Sequence, residues 1–255
     1  MTGVQTCALP IFAAFWARVS DRPGASGICL GAATLVKLFP ALLLPALLPW
    51  PRPFSFKGLR SATYLLLGFG GTLVVGYLPY IPGGGVLGFL PNYFGENFNL
   101  GLARGLFALA PYLRLSPADL TNMATFGGLA LLSIAFVWRP ASDGRQALRR
   151  CVWLIGWFSL FTQNLFAWYV LWLVPLLALE LEPGRWLGFR LAPALAWLVF
   201  SGTVALSYLF FIQWRVMEAG QLAEYLPLYG LLLGAAATRV GPGLFRRIPA
   251  PLTTS

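Results

Sequence analysis

A lysine stands in the middle of an apolar run, and its position suggests chemistry. Residues 30–50 carry no charge except Lys37, and about 20 apolar residues are enough to cross a bilayer. A lysine at that depth costs roughly 3 kcal/mol on insertion scales, so it normally has a partner. Pro40 follows and interrupts the helix. A cation beside a helix break predicts an anion site, and we expect a lipid-linked phosphate. The alternative is a lysine that snorkels to an interface or pairs with a carboxylate.

Polar side chains gather in a second segment, residues 81–118, between two apolar runs. They form a compact set of hydrogen-bonding groups suited to sugar hydroxyls and a phosphate. The alternative is an ordinary solvated loop. The residues of this set are Glu96, Asn97, Asn99 and Arg104.

A third segment, residues 161–177, combines amide and aromatic side chains. Trp168, Trp172 and Pro175 recur every three to four residues, so they lie on roughly one helix face. Aromatic rings near an interface can stack on a sugar ring or line a groove for a lipid chain. The alternative is an ordinary aromatic belt. The candidate residues are Gln163, Asn164, Trp168, Tyr169 and Trp172.

The chain that must position these groups has the composition of a membrane protein. Of its 255 residues, 58% are hydrophobic and 10% are charged, which excludes an ordinary soluble domain. Apolar runs bounded by Pro, Gly or charge predict an all-α, polytopic integral membrane bundle of about seven to eight membrane segments. These runs cover residues 26–50, 61–80, 119–138, 151–181, 191–212 and 225–240.

Two of these runs contain internal breaks. Residues 151–181 are long for one span and hold polar residues at their centre, which predicts a hairpin with arms at 151–161 and 169–181. Residues 26–50 form either one long helix or a hairpin that turns near Lys37. Three prolines within that run favour the hairpin.

The charge distribution predicts the orientation in the membrane. The net charge is +10, and most arginines lie in short loops between apolar runs, so the positive-inside rule explains them better than nucleic-acid binding does. Residues 139–150 are therefore predicted to be cytoplasmic, and residues 81–118 and 213–224 to lie outside. The chain has no histidine, and its three cysteines lack metal-ligand spacing. We therefore expect neither a metal nor a cofactor.

The first eleven residues resemble translated sequencing-adapter sequence, and they are kept apart from fold reasoning. The alternative is a short native segment that resembles a signal. We expect a non-native segment at 1–11, a transmembrane helical domain at 12–241 with an outer loop at 81–118, and a cytoplasmic tail at 242–255. The native chain would then begin near Phe12, inside a longer protein.

Three segments together resemble the GT-C superfamily of membrane glycosyltransferases, most closely glycosyltransferase family 87 and polyprenyl-phosphomannose-dependent enzymes. The matching patterns are Gly31-x5-Lys37-x2-Pro40, Asn99-x-Gly101-x-x-Arg104 and Trp168-Tyr169-x-x-Trp172-x-x-Pro175. The resemblance implies a GT-C-like bundle that transfers a hexose, expected to be mannose, from a polyprenyl-phosphate donor with inversion. The implied acceptor is a lipid or a glycan, at the outer face of a bacterial plasma membrane.

The resemblance also implies roles for the residues above. Lys37 and Arg104 are expected to bind the donor phosphate. The expected partners are the donor, the acceptor and membrane lipids, without nucleic acid. Sugar or acceptor binding is expected for Glu96, Asn97, Asn99, Gln163, Asn164, Trp168, Tyr169 and Trp172.

The catalytic carboxylate of these families lies on the first outer loop, and no such loop precedes Phe12. We therefore expect a C-terminal fragment that lacks its general base and is inactive alone. In addition, no carboxylate is expected in a neighbouring span at the depth of Lys37. The acidic residues expected outside, none of them assigned as the base, are Glu96, Asp119, Glu218 and Glu224.

Two other classes of protein also fit the pattern. Half of a polytopic transporter or lipid-linked-sugar flippase would contain an intramembrane lysine and broken helices as well. Such proteins tend to have repeated halves, and neither the lysine motif nor the Trp-Tyr motif recurs in this chain. A membrane scaffold is the third class, and it would tolerate Lys37→Met without loss of chemistry.

Overall fold

The computed structural model describes most of the chain as helices joined by short turns. The described residues are 2–48, 55–83, 88, 101–139, 141, 143–180, 193–209, 212 and 217–245. Within them no strand occurs, so the all-helical prediction is confirmed. The α-helices are α1 (Thr2–Val19), α2 (Pro23–Val36), α3 (Leu44–Leu47), α4 (Phe56–Tyr77), α5 (Ala103–Leu109), α6 (Pro117–Trp138), α7 (Gly144–Phe161), α8 (Ala167–Val170), α9 (Leu173–Glu180), α10 (Pro193–Thr203) and α11 (Glu218–Phe245). Short 3₁₀-helices cover Phe39–Leu43, Leu78–Gly83, Ala110–Leu113 and Val204–Leu209.

Polar residues start three of the long helices at the edges of the apolar runs. The side chains of Ser55, Ser116 and Asp143 each accept a hydrogen bond from a backbone N–H in the first turn of α4, α6 and α7. Such capping satisfies one of the backbone donors that a helix start leaves open. The caps therefore fix where these three helices begin.

Glycines bring α2 and α4 into direct backbone contact. A Cβ atom added at Gly27 would overlap the Leu65 carbonyl oxygen, and one at Gly68 would overlap the Gly24 carbonyl oxygen. At Gly31 it would lie 2.8 Å from Cβ of Thr72. Small residues at such spacings let helices approach closely, as membrane helices commonly do. The α2–α4 pair therefore depends on its glycines.

The first broken run folds as a hairpin. Helix α2 ends at Lys37, and the chain returns through the 3₁₀-helix Phe39–Leu43 and through α3. Nε of Arg18, at the end of α1, donates a hydrogen bond of 2.9 Å to the Leu47 carbonyl. The two ends of the segment are thus close together, which confirms the predicted turn near Lys37.

The second broken run also folds as two antiparallel arms. Helix α7 ends at Phe161, residues 162–166 form an irregular turn, and α8 and α9 lead back along α7. The structure confirms the predicted hairpin.

Residues near the two ends of α7 contact the two segments, 139–150 and 81–118, that the arginine distribution predicts on opposite sides of the membrane. Near its start, Arg150 donates hydrogen bonds to the Phe136 and Arg139 carbonyls. Near its end, the Leu160 carbonyl accepts a hydrogen bond of 3.0 Å from the Leu102 N–H. Residues 139–150 and the described part of the predicted outer loop therefore lie at opposite ends of one helix. The orientation relative to a membrane stays a prediction.

The prediction of seven to eight membrane segments is not confirmed. In the part of the chain that the structure describes, two helices are long and apolar enough to cross a bilayer, Phe56–Ile81 and Pro117–Trp138. Both have mostly exposed side chains, which fits contact with lipid and indicates membrane association. Three other apolar runs are divided by Lys37, by the turn after Phe161 and by the change to 3₁₀ geometry after Thr203, whereas residues 225–240 lie within the continuous helix α11.

Candidate functional site

The Lys37 side chain lies among aromatic rings where the two hairpins meet. Its backbone is extended (φ −151°, ψ 135°), so the residue leaves the helical path of α2. Its Nζ lies 5.1 Å from the ring centroid of Trp168, 4.8 Å from that of Tyr169 and 5.6 Å from that of Trp172. We call these three rings and the ammonium group the Lys37 cage. The lysine motif and the Trp-Tyr motif, far apart in the sequence, therefore form one site.

Phe39 connects the turn of the first hairpin to the second hairpin. Its ring centroid lies 4.8 Å from that of Phe158 on α7, 5.3 Å from that of Tyr169 and 4.8 Å from that of Trp172. Phe39 and Trp172 are both buried. Because this packing fixes the turn after α2 against α7 and α8, it also fixes the position of Lys37.

The cage offsets much of the cost of placing a lysine at this depth. A cation over an aromatic ring gains about 0.5–1 kcal/mol when exposed and about 2 kcal/mol when desolvated. Three such rings are comparable with the roughly 3 kcal/mol insertion cost of a central lysine. The three aromatic rings therefore help to stabilise the ammonium group at this position.

Several buried polar atoms near the second hairpin make no hydrogen bond within the described structure. They include the indole Nε1 atoms of Trp168 and Trp172 and Oγ of Ser159. Trp172 is 3% exposed and Ser159 is fully buried. Buried donors are almost always satisfied, and an open one costs about 1–3 kcal/mol. Indole N–H groups on two walls of a cationic cage suit the acceptor oxygens of a phosphate or a sugar.

The predicted amide residues lie in the interior, directly before the cage. Gln163 is 3% exposed and Asn164 is 1% exposed. Both belong to the turn between α7 and α8, where the Asn164 N–H donates to Oγ1 of Thr162 at 3.4 Å. The structure therefore places these two amides beside the aromatic residues with which they were predicted to act.

The second predicted phosphate-binding residue is held elsewhere. Arg104 lies on α5, about half exposed, and its guanidinium group forms an ion pair with Glu218 at the start of α11. This pair connects the described end of the predicted outer loop to α11, so both lie on the same side of the molecule. The other residues predicted there, Glu96, Asn97 and Asn99, lie outside the described residues.

Glu224 is the residue that sequence reasoning missed. It was expected outside, but it is fully buried on α11, and its backbone carbonyl accepts a hydrogen bond of 2.9 Å from Oγ1 of Thr203. The signal was present in the sequence as a helical spacing. Polar or aromatic residues recur at Gln221, Glu224, Tyr225 and Tyr229, positions that share one helix face.

The expectation that no carboxylate lies in a neighbouring span at the depth of Lys37 stays a prediction, and contacts along α7 show where Glu224 lies. Both regions contact α7 near its end. Phe158 packs against Phe39 in the turn that contains Lys37, and the Leu160 carbonyl lies close to Gly101. A Cβ added at Gly101 would lie 2.9 Å from the Leu160 oxygen and 3.0 Å from Cε1 of Tyr225. Tyr225, the neighbour of Glu224, therefore lies beside Gly101 at the C-terminal end of α7.

Comparisons of the chain with protein-family models, with curated proteins and with solved structures gave no match.

Proposed function

We propose that this chain is part of a membrane glycosyltransferase of the GT-C type, which transfers a hexose, mannose by resemblance, from a polyprenyl-phosphate donor to a lipid or glycan acceptor. The observation that carries the proposal is the Lys37 cage. The half-buried ammonium group of Lys37 lies against the rings of Trp168 and Trp172, whose buried indole N–H groups make no hydrogen bond within the described structure. Such a set of donors suits a phosphate whose lipid chain remains in the bilayer.

The chemistry is an inverting displacement. The acceptor oxygen forms a bond to the anomeric carbon while the bond from that carbon to the phosphate oxygen breaks. The electron pair leaves with the lipid phosphate, and a carboxylate base takes the acceptor proton. The ammonium group of Lys37 stabilises the negative charge that develops on the leaving phosphate in a dry site. None of the described residues is assigned here as the base.

Arg104 is proposed as a second ligand of the donor phosphate. Its partner Glu218 is 75% exposed, and exposed ion pairs contribute only about 0–1 kcal/mol. Exchange of this carboxylate for a phosphate that arrives from the outer side therefore costs little. In this proposal Arg104 captures the donor and Lys37 binds the phosphate during transfer.

Binding of a short donor analogue tests the phosphate role directly. Farnesyl phosphate is titrated onto the 255-residue chain in lipid nanodiscs, with neutral farnesol as the ligand control. Lys37→Met should weaken the binding of farnesyl phosphate by about tenfold or more, because a charge-assisted hydrogen bond is lost. The affinity for farnesol should not change. The chain has one other lysine, Lys57, which is exposed near the start of α4, so Lys57→Met is the matched control.

An unchanged affinity in Lys37→Met would contradict the phosphate role and favour a snorkelling lysine. Broken helices also favour a flippase half, which would bind the same ligand. Sugar transfer by a protein that includes the upstream segment distinguishes the two, since a flippase moves the intact donor and forms no glycosidic bond.

A further inference from the structure

Helix α11 buries Glu224 and Tyr225 but exposes Leu222 and Leu226. Glu224 is fully buried and Tyr225 is 5% exposed, whereas Leu222 and Leu226 are 64% and 67% exposed. This is the reverse of the pattern on a water-exposed surface helix. Within a membrane, ionisable residues that face a bundle interior are expensive and mark functional sites. The inward face of α11 therefore needs an explanation beyond packing.

The same face carries polar atoms that the protein does not satisfy. Nε2 of Gln221 and the hydroxyl of Tyr229 are buried without a hydrogen-bond partner in the described structure. Gln221 lies about one turn before Glu224, and Tyr229 lies about one turn after Tyr225, whose ring it stacks on. Buried polar atoms in this condition indicate a bound water or a ligand. A carboxylate, an amide and a phenol side by side suit a polyhydroxylated ligand.

Short contacts connect this face to the Lys37 cage. The ring of Trp168 in the cage lies 6.1 Å from the ring of Tyr208. Tyr208 belongs to the 3₁₀-helix Val204–Leu209, which packs against both α8 and α11. Thr203, directly before that helix, donates to the Glu224 carbonyl. The 3₁₀-helix Val204–Leu209 and Thr203 therefore connect the cage to α11.

We propose that the inward face of α11 binds the hexose of the lipid-linked donor, with Glu224 accepting hydrogen bonds from sugar hydroxyls and Gln221 and Tyr229 donating to sugar oxygens. The inference rests on the proposed function, in which Lys37 binds the phosphate of the same donor. It adds the residues that recognise the sugar. Carboxylates accept two hydrogen bonds at once, which matches neighbouring hydroxyl groups on a hexose.

Two ligands that differ only by the sugar test this assignment. Farnesyl phosphate and mannosyl-phosphoryl farnesol are titrated onto the same nanodisc preparations. Glu224→Gln should lower the affinity for mannosyl-phosphoryl farnesol by about tenfold. It should change the affinity for farnesyl phosphate by less than about twofold. Asp21→Asn removes an equal charge at an exposed turn where asparagine accepts the positive φ of 55°, so it is the matched control.

A second variant, Tyr229→Phe, tests the inference even if Glu224→Gln does not fold. Tyr229→Phe removes one unsatisfied hydroxyl and keeps the ring that stacks on Tyr225. It should fold at least as well as the parent chain and weaken only the mannosylated ligand, by about threefold. Thermal unfolding without ligand verifies the fold of both variants.

The outcomes separate the inference from the proposed function. If Glu224→Gln and Tyr229→Phe leave both affinities unchanged, or change both equally, the sugar role is wrong; an equal change would indicate that Glu224 acts on the phosphate site through Lys37. If Lys37→Met leaves both affinities unchanged, the phosphate role is wrong. Loss of the sugar preference in the α11 variants, with farnesyl phosphate binding intact, supports the inference.

Discussion

The α2–α4 pair and the Lys37 region show two ways of packing helices in one chain. In the pair, glycines let backbones touch, and Gly27, Gly31 and Gly68 leave no space for a side chain. In the Lys37 region, large aromatic side chains hold two broken helices together and leave indole N–H groups open. The first arrangement is complete without a ligand, whereas the second is not. The difference indicates where the protein carries structure and where it carries chemistry.

The largest expected effect lies in the glycine-packed pair. In Gly27→Leu the new side chain would overlap the backbone of α4 at Leu65, and the helices must separate. Because overpacking already costs about 1–3 kcal/mol in ordinary cores, we expect a loss of at least about 3 kcal/mol, measured by thermal unfolding in detergent. Gly71→Leu is the control, since a Cβ there meets nothing within 4 Å. Equal stability of the two variants would contradict the close packing.

The next largest effect concerns turnover at the cage. In a protein that includes the upstream segment, Lys37→Met should insert and express normally but lose about a hundredfold or more in sugar transfer. Lys37→Arg should recover only part of the transfer rate, because a planar guanidinium group does not replace a compact ammonium group. The 255-residue chain is assayed in parallel. Activity of that chain above background would show that the base lies within it, and Glu96 would then be tested first.

The smallest effect concerns one open donor. Trp172→Phe keeps an aromatic ring beside Lys37 and removes the indole N–H. We expect farnesyl phosphate binding to weaken about threefold to tenfold, with little change in farnesol binding. Trp153→Phe is the control, because Trp153 is 62% exposed. An equal loss for farnesol would mean that Trp172 acts only through its apolar surface.

Local breaks in the helices could be predicted from the sequence. Pro40 and the lysine beside it predicted the turn after α2, and the polar residues at 163 and 164 predicted the turn after α7. Both signals are local, because proline and buried amides disturb a helix wherever it packs. The number of spanning helices was not predictable in the same way, since hydropathy alone does not detect a helix that stops halfway.

The contacts between side chains in the site could not be predicted from the local sequence. Nothing near Lys37 in the sequence indicates that three rings from residues 168–172 would surround its ammonium group. Glu224 was missed because the arginine distribution assigns only a side of the membrane, the outer one, to both Glu218 and Glu224 and says nothing about burial. Only the packing of α11 against Thr203 and Gly101 separates the buried acid from the exposed one.

The shortness of α2 has a consequence for how the chain enters a membrane. With 14 residues, α2 is about 21 Å long, less than the roughly 30 Å hydrocarbon core, and it ends in a lysine. Such a segment is a poor insertion signal by itself when it leaves the ribosome. Helix α4, which is long and apolar enough to span, is made only afterwards and offers the glycine surface that α2 needs. Insertion of the first hairpin is therefore a cooperative event that waits for α4, and the order of synthesis becomes part of the folding problem.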